Sequence, residues 1–337
     1  MSSTADAGSS PGARPPDPAP GPAAGPRGGT AGPAVAASPS HAGTVHPAGT
    51  VLACLLSVYI AWGSTYLAIR VALTGLPPLL LAGLRALAAG SVLLAWARWR
   101  GLGGAPRGAV RNAAIAGVLL VAGGNGGVTI AEQWVSSGLA AAIAASGSMW
   151  LVLMLAALGE RPTRAEQAGI AIGFAGVVML NLDGEVRASP AGALALLAAT
   201  TLWAVGSVVS RRRVLPPGAL AVAIELLAGG AVMTVVGLLA GERIDPALVT
   251  RDSLLAWLYL VVAGSLIGFS AFTWLIRNVR PALATSFVYV NPIVAVMLGV
   301  AVAGERVTRL AAVGVAVSVV GLAVVSLASR PARRGPR

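Results

Sequence analysis

An all-helical polytopic membrane protein, with ten transmembrane helices arranged as two inverted five-helix repeats, is the fold class this sequence predicts. Three observations carry that expectation. Hydrophobic residues make up 56% of the chain and charged residues 11%, where a soluble domain carries roughly a quarter of its residues charged. Residues 51 to 329 divide into ten apolar runs, most of them near the roughly 20 residues that a helix needs to cross hydrocarbon. A stretch at 159 to 176 also recurs at 304 to 321.

The first 49 residues are rich in Ala, Gly, Pro and Ser, too poor in apolar side chains to offset the entropy of ordering. They are expected to form a disordered cytoplasmic tail. They lack a basic start, apolar core and small-residue cleavage site, so the first span is read as retained and not as a secretory signal. His41 and His46 fall in this tail and offer no metal-ligand set. The spans follow at 51 to 70, 79 to 98, 112 to 131, 136 to 158, 168 to 182, 191 to 210, 219 to 240, 254 to 276, 281 to 303 and 310 to 328. Residues 51–182 form the first repeat, 191–328 the second, and 329–337 a basic cytoplasmic tail. A single cysteine, Cys54, excludes an intrachain disulfide.

All 24 cationic side chains are arginines, which we read as codon bias. Their distribution sets orientation. One set of alternate joints holds 17: Arg14, Arg27, Arg98, Arg100, Arg107, Arg111, Arg161, Arg164, Arg211, Arg212, Arg213, Arg277, Arg280, Arg330, Arg333, Arg334 and Arg337. The other holds six, Arg70, Arg187, Arg243, Arg251, Arg306 and Arg309, among seven acids that include Glu132, Asp183, Glu242 and Glu305. Both termini are therefore expected in the cytoplasm. The formal charge of +12 is explained by topology and not by nucleic acid.

In the recurring stretch, GERPTRAEQAGIAIGFAG answers GERVTRLAAVGVAVSVVG. Gly159, Glu160, Arg161, Thr163, Arg164, Gly169 and Gly176 all return 145 residues later. More loosely, Trp62 and Arg70 are answered by Trp203 and Arg211 at a shift of 141. Five spans per copy is an odd number, so the second copy enters the membrane from the opposite face.

WGSTYLAIRVAL, PPLLLAGLRALAAG, NVRPALATSFVYVNPIVAVMLG and GERVTR together resemble the EamA branch of the drug/metabolite transporter superfamily, and within it the YedA-like inner-membrane exporters. The resemblance covers about residues 51 to 328. It implies ten helices, two EamA repeats and gradient-driven export of small metabolites or drugs, without naming the ligand.

Several side chains are candidates for a substrate pathway. Tyr59, Trp62 or Gly63, Tyr66 and Arg70 fall on one stripe of the first span. Trp62 sits near mid-run, although membrane tryptophans favour the interfaces. Lining a pathway and packing a helix contact across Gly63 are the two readings. Ser64 and Thr65 adjoin it, but their hydroxyls can bond back to the preceding turn. In the other spans the candidates are Asn125 within GGNGG, Ser146, Ser148 and Trp150 in the fourth, Trp203 and Ser207 in the sixth, and Tyr289 and Asn291 in the ninth. Pro292 should kink or break that ninth helix by removing one donor and obstructing the Val288 carbonyl. The glycines of GGNGG weaken the third helix by up to about 1 kcal/mol each relative to Ala, and helix packing is their favoured role. Gly169 with Gly173, and Gly314 with Ser318, are small-xxx-small faces suited to packing or dimerisation.

Arg85 and Glu225 are the two ionisable side chains inside spans, at matching places 140 residues apart. Each costs about 2.5–3.5 kcal/mol near the bilayer centre, so each should face the bundle interior. Helix rise places Arg85 roughly 5 Å outward and Glu225 roughly 7 Å inward of the midplane, which leaves a direct ion pair unassured. Glu225 is the candidate for proton coupling.

The function these residues predict is secondary transport by alternating access, coupled to protons, and the EamA resemblance alone implies its direction: export of small metabolites, amino acids or related compounds, or drugs. An importer or facilitator of the same fold is the alternative. A polytopic enzyme acting on lipid-linked substrates would need acid, base or metal groups that the spans lack. Without Lys there is no Walker-type phosphate loop. No cofactor or metal is expected. The expected partners are a small-molecule substrate, the lipid bilayer and protons, with the chain a monomer or homodimer.

Overall fold

The computed structural model describes residues 47–131, 137–181, 190–303 and 308–329. The N-terminal tail up to residue 46, the basic C-terminal tail from residue 330, and Glu132, Asp183, Arg187, Glu305 and Arg306 lie outside the described residues, as do the side chains of Tyr66, Arg70 and Pro292. The described residues are helical, with no strand among them. We label the helices α1 (Ala48–Ala72), α2 (Pro78–Trp99), α3 (Arg107–Ala131), α4 (Ser137–Ala157), α5 (Arg164–Asn181), α6 (Pro190–Arg212), α7 (Ala219–Leu239), α8 (Arg251–Asn278), α9 (Phe287–Ala303) and α10 (Arg309–Ala328). A single turn, Pro281–Ala284, precedes α9.

Six helices, α1, α2, α3, α6, α7 and α8, are long and apolar enough to cross a membrane, and parts of α4 and α10 are shorter apolar helices. By this measure α5 and α9 fall short: α5 starts with Arg164 and Glu166, and α9 has 17 residues. The chain is thus a multi-pass membrane protein. Leu52, Leu56 and Ile60 point outward from α1 while Leu55, Val58 and Ala61 are buried. Such an apolar outer face suits lipid, whose tails are as apolar as leucine.

Local sequence starts and stops these helices. Pro78 opens α2, where its missing N–H is an orphan anyway. Thr250 and Ser253 cap α8 reciprocally. A second capping box opens α5, where the Glu166 N–H donates to Thr163 Oγ1 and the Thr163 N–H donates to Glu166 Oε2. Gly159 turns the chain between α4 and α5 at φ +98°, a conformation that side chains disfavour.

Small residues let helices meet backbone to backbone. A Cβ on Gly83 would lie 2.4 Å from Thr234 Oγ1, fixing α2 against α7. One on Gly321 would lie 2.3 Å from Gly173 N, and one on Gly176 would lie 2.4 Å from Ser318 Oγ. The small-residue faces of α5 and α10 therefore pack on each other within the chain. In α1, a Cβ on Gly63 would meet Val294 of α9 at 2.6 Å. Helix α9 runs through Pro292 without interruption, so the break expected there is not found: one missing donor does not stop a helix whose flanking turns continue.

Two helices depart from the α pattern. Val118–Gly126 in α3 and Leu260–Phe269 in α8 are wound as π turns, in which each N–H reaches the carbonyl five residues back. The first takes in the first four residues of GGNGG, Gly123 to Gly126, and the second Gly264 and Gly268.

Candidate functional site

The two widened stretches face one cavity of about 180 Å³. Trp62, Thr65, Arg85, Asn125, Trp203 and Asn291 all line it, drawn from α1, α2, α3, α6 and α9. Thr129, Thr200, Gly264, Ser265 and Phe269 also line it, and sequence reasoning did not single these out. For Gly264, Ser265 and Phe269, the paired glycines Gly264 and Gly268 of the second π stretch are a signal that could have found them.

Trp62 answers the question of why an indole sits in mid-helix. Its Nε1–H donates to the Gly264 carbonyl at 3.0 Å, bridging α1 to the widened turn of α8. Its ring packs on Phe272 at 5.3 Å and edge-on to Phe287 at 4.7 Å. Trp203, its counterpart in the second half, meets the same two rings at 5.2 and 6.0 Å. Both readings of Trp62 hold together: it packs a helix contact and walls the cavity. Tilted and edge-on pairs of this kind are the arrangements that ring quadrupoles favour.

Other candidates sit away from the lining. Ser64 Oγ donates to the Ile60 carbonyl at 2.7 Å and also meets the Tyr259 hydroxyl. Thr65, which does line the cavity, bonds back in the same way, its Oγ1 donating to the Trp62 carbonyl at 2.6 Å. Ser207 is buried and donates to the Trp203 carbonyl. Ser148 and Tyr289 are buried against each other, their hydroxyls 3.4 Å apart. Ser146 is half-buried, while Trp150 is 42% exposed on the outer surface, where an indole suits lipid.

The two intramembrane charges are placed differently. Glu225 is fully buried outside the lining, next to Leu226, which does line the cavity. Ser210 Oγ donates to its Oε1 at 3.1 Å and Thr273 Oγ1 to its Oε2 at 3.2 Å. Arg85 instead opens into the cavity, with no hydrogen-bond or ion-pair partner among the described residues. The two do not pair with each other.

One end of the bundle is tied shut by ion pairs. Glu160, just past α4, receives the Arg211 guanidinium at 2.7 Å and that of Arg212 at 3.2 Å. Arg211 also donates to the carbonyls of Ile276 and Val279 at the end of α8. Glu166 is paired with Arg280 and accepts from Ser329 at the end of α10. Burial opposes ionisation of both acids. For Glu160 the hydrogen bonds and charges of Arg211 and Arg212 outweigh it and hold the carboxyl below its usual range. For Glu166 the bonds from Arg280, Thr163 and Ser329 do the same. Sequence reading took GER as a repeat marker and missed these pairs, because partners lie on helices distant in sequence.

A membrane-spanning bundle with a mid-helix cavity walled by both halves defines a membrane transporter. The chain belongs to the EamA-like transporter family, which matches it twice, over residues 49–182 and 190–327. It is 44% identical over 274 residues to the uncharacterized inner membrane transporter YedA of Escherichia coli (strain K12), covering 81% of this chain and 89% of that one. PecM of Dickeya dadantii is 30% identical over 71% of this chain and 79% of its own. A probable amino-acid metabolite efflux pump of Salmonella typhimurium is 24% identical, over 79% and 91%. One solved crystal structure matches with a TM-score of 0.70 at 25% identity, covering 84% of this chain and 99% of that one. The chain is therefore a multi-pass inner-membrane protein of the drug/metabolite transporter superfamily and not an enzyme.

Proposed function

We propose that this protein is a proton-coupled secondary exporter of small metabolites, built from ten spans in two inverted halves that rock around the cavity. The observation that carries this reading is the pairing of one closed end with one cavity. Arg211 and Arg280 lock one end, whereas the lining residues Thr65, Ile69, Val128 and Thr129 extend from mid-bundle toward the other. Such a form supports alternating access.

The locked end carries most of the arginines, and on the positive-inside rule it is cytoplasmic, with both termini. The domain limits in this reading are 51–182 and 191–328, and family matches over 49–182 and 190–327 support them. The cavity is smaller than the roughly 300–1,000 Å³ of drug-sized sites, which favours metabolites over drugs. Efflux is favoured by the likeness to the Salmonella typhimurium probable amino-acid metabolite efflux pump.

Glu225 is the proposed coupling group. It lies between the cavity wall and the locked end, held by two hydroxyls and not by a cation in direct contact. A carboxyl so placed can exchange a proton without breaking an ion pair. The test starts with a growth screen of an overexpressing strain against amino acids, nucleosides and toxic cations. Flux of the compound so found is then measured in proteoliposomes with an imposed pH gradient. Glu225→Gln should abolish gradient-driven flux while leaving the purified protein monodisperse. Unchanged coupling would remove Glu225 from the mechanism, and absence of any flux would remove the transporter cycle.

A further inference from the structure

We infer that the cavity recognises a small organic monoanion, with Arg85 binding a carboxylate and the aromatic wall taking an apolar body. This deepens the transporter reading by naming a substrate class, and it rests on that reading only for the word substrate.

The argument is one of unmatched groups. Arg85 carries a guanidinium into an enclosed space where no Asp or Glu is among the lining residues. Ala86, Val121, Leu226 and several aromatic rings share that lining. At the locked end, by contrast, Arg211 and Arg212 are paired with Glu160 and Arg280 with Glu166. A cation kept in the membrane against its desolvation cost, without a partner, is matched by an anion that arrives from outside. The planar fork of arginine fits a carboxylate in bidentate fashion.

A second unmatched group lies in the same lining. Asn291 is 5% exposed, and its side-chain Oδ1 is buried with no hydrogen-bond partner among the described residues. It is available to a donor on the ligand. The rest of the wall sets the apolar and aromatic side chains, among them Trp62, Trp203, Phe269 and Phe287, beside the polar Thr65, Asn125, Thr129, Thr200 and Ser265. Indole faces also attract ammonium groups, but an uncompensated guanidinium in the same low-dielectric space repels them more strongly. The cavity therefore selects against organic cations. Its volume of about 180 Å³ suits one ring with a short acid arm.

The experiment is isothermal titration of the full-length protein in nanodiscs of zwitterionic lipid with four probes: phenylacetate, phenylacetamide, phenethylammonium and acetate. Phenylacetate should bind on the order of tenfold to a hundredfold more tightly than the amide, the worth of a charged hydrogen bond. It should exceed acetate and the amine by at least as much. Arg85→Gln should erase the preference for acid over amide, and Arg85→Lys should keep part of it. Asn291→Asp, which leaves Arg85 in place and adds a negative charge to the lining, should weaken phenylacetate and spare the amide; this keeps the test decisive if Arg85→Gln does not fold. Equal binding of acid and amide, tighter binding of the amine, or acetate matching phenylacetate would overturn the inference. Arg85-dependent binding without flux in proteoliposomes would instead sink the transporter cycle alone.

Discussion

Arg85 on α2 and Glu225 on α7 stand at corresponding places in the two family-matched halves, yet the fold has used them in opposite ways. Glu225 is sealed in: Gly117 of α3 lies so close that a Cβ there would sit only 2.1 Å from the Glu225 carbonyl, and two hydroxyls satisfy the carboxylate. Arg85 is left open to a cavity with no acid among the described lining residues to neutralise it. A duplicated position thus carries an internal, protein-satisfied charge in one half and an externally satisfied one in the other. Polar groups that a fold leaves unmatched point to what it binds, whereas matched ones report how it is held.

The largest expected effect tests how tightly Glu225 is seated. Gly117→Val would drive side-chain carbons onto the backbone of α7 and should destabilise the protein by about 1–3 kcal/mol or more, seen as a lower melting temperature in detergent; an unshifted melt would mean the seat is loose. Next, Glu166→Gln removes the charge that holds Arg280 and Ser329, and should cost about 1.5–3 kcal/mol, the worth of hydrogen bonds to a charged group. This variant also carries a pH signature. Because the native Glu166 and Glu160 carboxyls are held below their usual range, their stabilisation is complete above the ordinary glutamate range. It is lost as pH falls through the depressed native values. The melt of the wild type should drop on acidification, and that of Glu166→Gln should drop less.

A smaller effect separates the two intramembrane charges directly. Glu225→Met strips Ser210 and Thr273 of their acceptor and should cost about 1–3 kcal/mol, while Arg85→Met should leave stability within about 1 kcal/mol or raise it, since no partner is abandoned. Equal losses for both would erase the distinction. Smallest is Trp150→Phe, a change on the outer surface that should shift the melt by less than about 0.5 kcal/mol.

Much of this was legible in the sequence because its signals are local or periodic. Apolar runs gave the helices, the GER recurrence foreshadowed the two family matches, and the rarity of charge in the spans singled out Arg85 and Glu225. Of the residues chosen for a pathway, Trp62, Thr65, Asn125, Trp203 and Asn291 share the lining with Arg85. Ser148, Tyr289 and Ser207 were polar and mid-helix too, but they satisfy one another or their own backbone. One-dimensional sequence does not distinguish a hydroxyl turned to a cavity from one turned to the previous turn. The ion pairs of the locked end were hidden for a related reason: Glu166 and Arg280 are 114 residues apart, and only packing brings them together.

The widened turns of α3 and α8 have a consequence for chain length. A turn closed five residues back stores one spare residue relative to the ordinary helix around it. Excising Ala122 or Val262 would let the ladder re-form four back with both flanks in their present register. Re-forming it with the spare residue retained would instead swing the C-terminal flank by roughly 100°. Single-residue deletions should therefore be absorbed at these two places, whereas elsewhere in the bundle they would misalign an entire helical face.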